Sequence, residues 1–170
     1  MTSIAISEIT FAETIRKGSV SCIYRVSWDG KDCILKVFHT PEPGSYFLRK
    51  IRTRKRETVP FKCESTAYTR LKEQGLCDRG IIPDFYGLVE QIKPDDHLPY
   101  LEDFLEDTEY PNAILIEYVP DIAMIDPSNF SAQRTHKLRD ILSEIHQAGV
   151  YHADPYPRNM MVQATSDRVL

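Results

Sequence analysis

Asp29 and Gly30 lie between two stretches in which apolar and polar residues alternate, "CIYRVSW" from Cys22 to Trp28 and "KDCILKVF" from Lys31 to Phe38. Alternation with a period of two marks strands. A two-residue Asp-Gly connection accepts the left-handed backbone that a tight hairpin demands. The chain is therefore expected to contain an antiparallel hairpin over residues 22–38. No strand–helix–strand alternation appears elsewhere, which argues against a Rossmann sheet.

Further elements can be read in order. A helix is expected from Pro60 to Gly75, with proline in its first turn and glycine as its stop. "IIPDFYGLVEQI" at 81–92 reads as a strand region, and "AILIEYV" from Ala113 to Val119 as a strand buried on both faces. Between them, "KPDDHLPYLEDFLEDTEYPN" reads as a long acidic loop with seven carboxylates and three prolines. It is expected either to select basic substrates or simply to be solvated. Ser131 to Gln147 reads as a helix whose buried stripe is Leu138, Ile141, Leu142 and Ile145, with Gly149 just past its end. "MMV" and "RVL" are expected as two short strands separated by "QATSD". The fold class is α+β.

Composition narrows the partners. The chain has 170 residues, 42% of them apolar, and a net charge of −4. That size suits one domain or two small lobes. The mild charge gives no global attraction to nucleic acid or membrane. No apolar run approaches a membrane span, and "MTSIAISEITFAE" lacks the features of a signal peptide. Cys22, Cys33, Cys63 and Cys77 form no CxxC pair, so no zinc site is expected, and reduced thiols in a cytoplasmic or nuclear protein are. The basic run "RKIRTRKRE", Arg49 to Glu57, is either a solvated segment or a patch for nuclear import or an anionic partner. It lacks the interleaved aromatic residues of a nucleic-acid stacking surface.

Chemistry concentrates in "YHADPYPRNMMV", which begins at Tyr151. Pro155 and Pro157 forbid a regular helix there. Asp154 is a candidate to accept a proton from a hydroxyl, and the side-chain oxygen of Asn159 suits Mg²⁺. The same pattern also fits an Asx-turn with a helix-end cap. Elsewhere, Lys36 stands mid-strand among apolar neighbours. Glu64, Tyr68 and Leu71 share one helix face, where a carboxylate aligned with core residues needs a cation. Lys36 is the candidate partner, and a solvated Glu64 at the edge of the stripe is the alternative.

Taken in order, the hairpin, Lys36 in "CILKVF", Glu64 on a helix, "AILIEYV", a helix and "HADPYPRN" resemble the protein-kinase-like superfamily over roughly residues 9–170. "HADPYPRN" has the spacing of that family's HRDxxxxN, and its Pro and Arg before Asn159 are similar to aminoglycoside and choline kinases. The resemblance implies a mainly antiparallel first lobe with one helix and a hinge (1–119), and an incomplete helical second lobe carrying the catalytic loop (120–170). It implies ATP and Mg²⁺ as ligands and a protein or small-molecule hydroxyl as acceptor. Lys36 would contact the α- and β-phosphates and pair with Glu64. Asp154 would be the catalytic base, Asn159 a Mg²⁺ ligand, and Gly18 the residue over the phosphates. Ile116 would be the gatekeeper, Glu117 and Val119 would offer backbone groups to adenine, and Met161 would pack under its ring.

The departures point toward a second function, a kinase-like binding module without catalysis, a pseudokinase or scaffold. In "RKGSVSCIYRV" only Gly18 remains of the glycine-rich loop, Ala153 replaces the Arg of HRD, and Ile34 replaces a small residue beside adenine. The Asp of a DFG motif would fall beyond Leu170, so the resemblance implies a fragment of a longer chain or a truncated relative. The only carboxylate after Asn159 is Asp167, in an expected solvent-facing turn, so these 170 residues are expected to bind nucleotide weakly and to transfer phosphate very slowly or not at all.

Overall fold

The computed structural model describes residues 3–40, 59–152, 154, 156–166 and 168–170. The chain divides into two compact units, Met1–Thr66 with Phe85–Tyr118, and Ala67–Asp84 with Val119–Leu170.

The first unit is built on a five-stranded antiparallel sheet. Strand β1 (Thr10–Arg16) is followed by β2 (Ser21–Trp28) and β3 (Lys31–Phe38). Asp29 and Gly30 both take positive φ, 49° and 70°, which closes the β2–β3 hairpin as the Asp-Gly signal requires. Helix α1 (Pro60–Glu73) intervenes before β4 (Phe85–Val89) and β5 (Asn112–Glu117). The strands lie in the order β1-β2-β3-β5-β4, so β3 is central.

Period-two alternation divides the sheet into two faces. Cys22, Tyr24 and Val26 of β2 pair across the hairpin with Val37, Leu35 and Cys33 of β3, and all six are fully buried. They face a core that includes Ile4, Ile9, Ile92, Leu101 and Phe104. Lys36 has the opposite parity and emerges on the other face, opposite Ile23 of β2 and Ile114 of β5. In β5, Ala113, Ile114 and Leu115 are buried in succession, as expected for a strand covered on both faces.

The acidic segment is not a solvated loop. Two short 3₁₀ turns, Pro94–His97 and Glu102–Phe104, direct Pro94, Leu101, Phe104 and Pro111 inward while most of the carboxylates stay outside. Tyr24 donates its hydroxyl to the Tyr100 carbonyl at 2.8 Å, and burial pushes that phenol's pKa up. The segment thus covers one face of the sheet.

The second unit contains the end of α1, then β6 (Ile122–Met124), helix α2 (Ala132–Gln147) and β7 (Met161–Gln163). Ser131 caps α2 by accepting from the Arg134 amide at 3.2 Å. Both helices end in Schellman turns. The Leu76 amide reaches the Leu71 carbonyl across Gly75, and the Val150 amide reaches Ile145 across Gly149, with both glycines at positive φ. Helix α1 therefore stops at Glu73, short of Gly75. On α2 Ile145 is buried, but Leu138, Ile141 and Leu142 are only half-buried. An open groove of about 280 Å³ runs beside the helix, lined by Ile81, Lys137, Ile141 and Arg168 among others, and leaves that stripe partly uncovered. "MMV" pairs with β6 and also bridges to "RVL", through Val162 and Val169.

None of the four cysteines is in a disulfide, and no helix among the described residues is long and apolar enough to cross a membrane. The basic run 49–57, Ala153 and Asp167 lie outside the described residues.

Candidate functional site

Lys36 and Glu64 meet in the first unit. Helix α1 docks on the sheet through Phe61, whose ring packs edge-on against Phe38 of β3 at 5.9 Å. Glu64 follows one turn later on the same face. Its two oxygens lie 2.7 and 2.6 Å from Lys36 Nζ. The side chains are 24% and 29% exposed, so the pair is partly shielded but reachable from solvent. The ammonium also stands 5.2 Å from the Phe38 ring centre. An ammonium has three donors. Among the described residues only Glu64 engages it, through two of them, which leaves one N–H to donate to another anion.

Gly18 lies in the β1–β2 turn. A Cβ at that position would come 3.1 Å from the Ser21 carbonyl oxygen, so a side chain would force the turn to shift. Glu117 ends β5 opposite Cys33, while Ile116 pairs with Ile34 of β3 and Phe85 of β4. Val119 belongs to the second unit and is buried.

The second cluster is local to one loop. After Asp154 the chain makes a tight turn, with the Tyr156 amide donating to the Asp154 carbonyl at 2.9 Å. Tyr156 is extended, as the following proline requires, and Pro157–Asn159 form a 3₁₀ turn. Arg158 then grips the Asp154 carboxylate through Nη2, at 2.6 and 2.7 Å from its two oxygens. The Asn159 amide donates both to the Asp154 carbonyl at 2.8 Å and to Oδ2 at 2.9 Å. Partial burial would raise the Asp154 pKa. The hydrogen bonds from Arg158 and Asn159, with the positive field of Arg158 and His152, outweigh it and hold the carboxyl below its ordinary value.

A carboxylate offers about four lone-pair sites. Among the described residues Arg158 and Asn159 occupy three at Asp154, so one remains, on Oδ1. Asn159 uses its nitrogen, and its side-chain oxygen has no partner among the described residues. An amide oxygen is by itself an acceptable donor for a hard cation such as Mg²⁺. His152 Nδ1 is buried without a hydrogen-bond partner among the described residues. Met161, half-buried in β7, exchanges two backbone hydrogen bonds of 2.9 Å with Leu170.

Sequence reasoning assigned no role to Arg158, although its spacing of four residues from Asp154 was a readable signal. It also missed the partners of Lys17, whose ammonium lies 3.0 Å from Glu102 and 2.7 Å from Asp103. Those partners are distant in sequence and no pattern marks them. No protein-family model matches the chain, and no curated protein matches it.

Proposed function

We propose that the chain is an ATP-dependent phosphotransferase of the protein-kinase-like type, or the nucleotide-binding part of one, directed at a hydroxyl of a protein or small molecule. The observation that carries this reading is the two-pronged Lys36–Glu64 pair on the central strand of an antiparallel sheet. A lysine fixed by a carboxylate, with one donor left over, is built to receive a further anion. Under this reading that anion would be the α,β-phosphate region of ATP; Gly18 and the backbone of Glu117 would be the first unit's further nucleotide contacts, and Val119 and Met161 those of the second. Asn159 would be the Mg²⁺ ligand, and bound Mg²⁺ would offset phosphate charge. Asp154 would orient the acceptor hydroxyl with its remaining lone pair and take up its proton.

Calorimetric titration with ATP and Mg²⁺ tests the assignment. Hydrogen bonds to charged groups contribute about 1.5–3 kcal/mol, so Lys36→Ala should weaken ATP binding about tenfold or more. Lys31→Ala is the control, because Lys31 sits beside the hairpin turn against the Tyr86 ring, 5.6 Å from its centre. Equal effects of the two substitutions would sink the role of Lys36.

The hold of Arg158 on Asp154 favours a second reading, a kinase-like binding module without turnover. A carboxylate with three of its sites engaged is a poor proton acceptor. A phosphoryl-transfer assay separates the two. Turnover that Asp154→Asn abolishes supports the enzyme, and ATP binding without turnover supports the module.

A further inference from the structure

The turn that holds Gly18 follows a strand with little anchorage of its own. Strand β1 is exposed along nearly its whole length, with only Phe11 half-buried, and its pairing with β2 is interrupted by two register shifts. Two things hold this corner from outside: the His39 amide, which donates to the Val20 carbonyl at 3.0 Å, and the covering segment. The ring of Tyr100 stacks on Phe11 with centres 4.9 Å apart, and its hydroxyl donates to the Ala12 carbonyl at 3.3 Å. At the turn itself, Lys17, the residue before Gly18, is gripped by Glu102 and Asp103 together.

Those two carboxylates are not carried by a loose loop. They stand between Leu101 and Phe104, which are 0% and 1% exposed, in a single 3₁₀ turn. Further along, Asp107 fastens the same segment to the end of β3, with both its oxygens 3.1 Å from His39 Nδ1 and one accepting from the Thr40 amide at 3.2 Å. An ion pair between two long mobile side chains loses much of its benefit to side-chain entropy. Here the backbone that carries the two carboxylates is fixed by the core.

We infer that Glu102 and Asp103 are positioning residues for the phosphate-binding turn: by holding Lys17 they help fix the backbone of Gly18 to Val20 in one place. This deepens the nucleotide reading and rests on it. A turn with one glycine has fewer ways to adapt to a phosphate chain than a glycine-rich one. An external brace removes beforehand the freedom that the turn would otherwise lose on binding.

The test is Glu102→Gln combined with Asp103→Asn, which keeps size and removes the charges. Backbone amide order parameters at Gly18, Ser19 and Val20 should fall from the rigid level of about 0.85 toward the flexible level of about 0.6. ATP with Mg²⁺ should bind about fivefold more weakly, the scale of two surface ion pairs. Adenosine, which has no phosphates, should bind unchanged. Lys17→Arg should retain wild-type values in all three measurements. Unaltered order parameters would overturn the inference, as would a looser turn with unaltered or tighter ATP binding. If the wild-type chain binds neither ligand, the nucleotide reading falls. The order parameters then decide the brace alone, a looser turn upholding it and an unaltered turn overturning it.

Discussion

Lys36 and Glu64 are 28 residues apart and meet because a strand and a helix dock. Asp154, Arg158 and Asn159 lie within five residues of one another and meet because one short loop turns. The first arrangement is bought with packing: Phe38, Phe61 and the central strand must be in place before the charges can touch. The second needs only turn chemistry, from the proline that starts the 3₁₀ turn to the amide hydrogen bonds that close it. Disturbing the core of the first unit should therefore separate Lys36 from Glu64 long before it disturbs the grip of Arg158 on Asp154.

The largest expected effect comes from the covering segment. Phe104 is 1% exposed and stacks on His39 with ring centres 4.2 Å apart. Phe104→Ala should cost about 3–5 kcal/mol in urea unfolding, the usual price of deleting a buried aromatic ring. Tyr156→Ala, at a 57% exposed position in the loop, should change stability by no more than about 0.5 kcal/mol. Similar losses at the two positions would erase the distinction between a packed region and a locally folded one.

The ion pair itself should matter less to stability than to binding. Both side chains are about a quarter exposed, so solvent screens their attraction. Glu64→Ala should destabilise by about 1 kcal/mol or less, while weakening ATP binding more than an exposed control such as Glu73→Ala. A loss of several kcal/mol in unfolding would mean that the pair is a structural staple, with no charge held ready for a ligand.

The difference between the regions also explains what could be read from the chain alone. The hairpin was legible because Asp-Gly and strict alternation act over a few residues. The Lys36–Glu64 pair was legible because helical spacing put Glu64 on the face of Tyr68 and Leu71. The covering segment was misjudged. Its carboxylates dominate the composition, while its buried Leu101 and Phe104 follow no strand or helix period, since two short 3₁₀ turns place them. Strand β6 gave no sign either, being three residues long and exposed throughout. In the loop that begins at Tyr151, Asp154 and Asn159 stood out by type and spacing. The engagement of the carboxylate by Arg158 was not inferred, because arginine in a loop is commonly solvated.

The smallest expected effect is on titration. The pKa of Asp154 is lowered by Arg158 and Asn159 from the ordinary 3.8. A carboxyl depressed in the folded state stabilises that state at neutral pH, fully so above the ordinary value. The contribution is lost as pH falls through the lowered value. Arg158→Met should move the Asp154 carboxyl back up toward 3.8 in an NMR titration and shrink the loss of stability below that pH. An unmoved titration would mean that the carboxylate is held by other groups.

Phosphorus NMR of ATP with Mg²⁺ decides whether Lys36, fixed by Glu64, keeps one donor for the phosphates of ATP as we propose. On adding the protein, the α- and β-phosphate resonances should shift and broaden. Lys36→Ala should remove that change, and Lys31→Ala should leave it intact. Resonances that do not respond to the protein, or that respond equally to wild type and Lys36→Ala, would contradict the account.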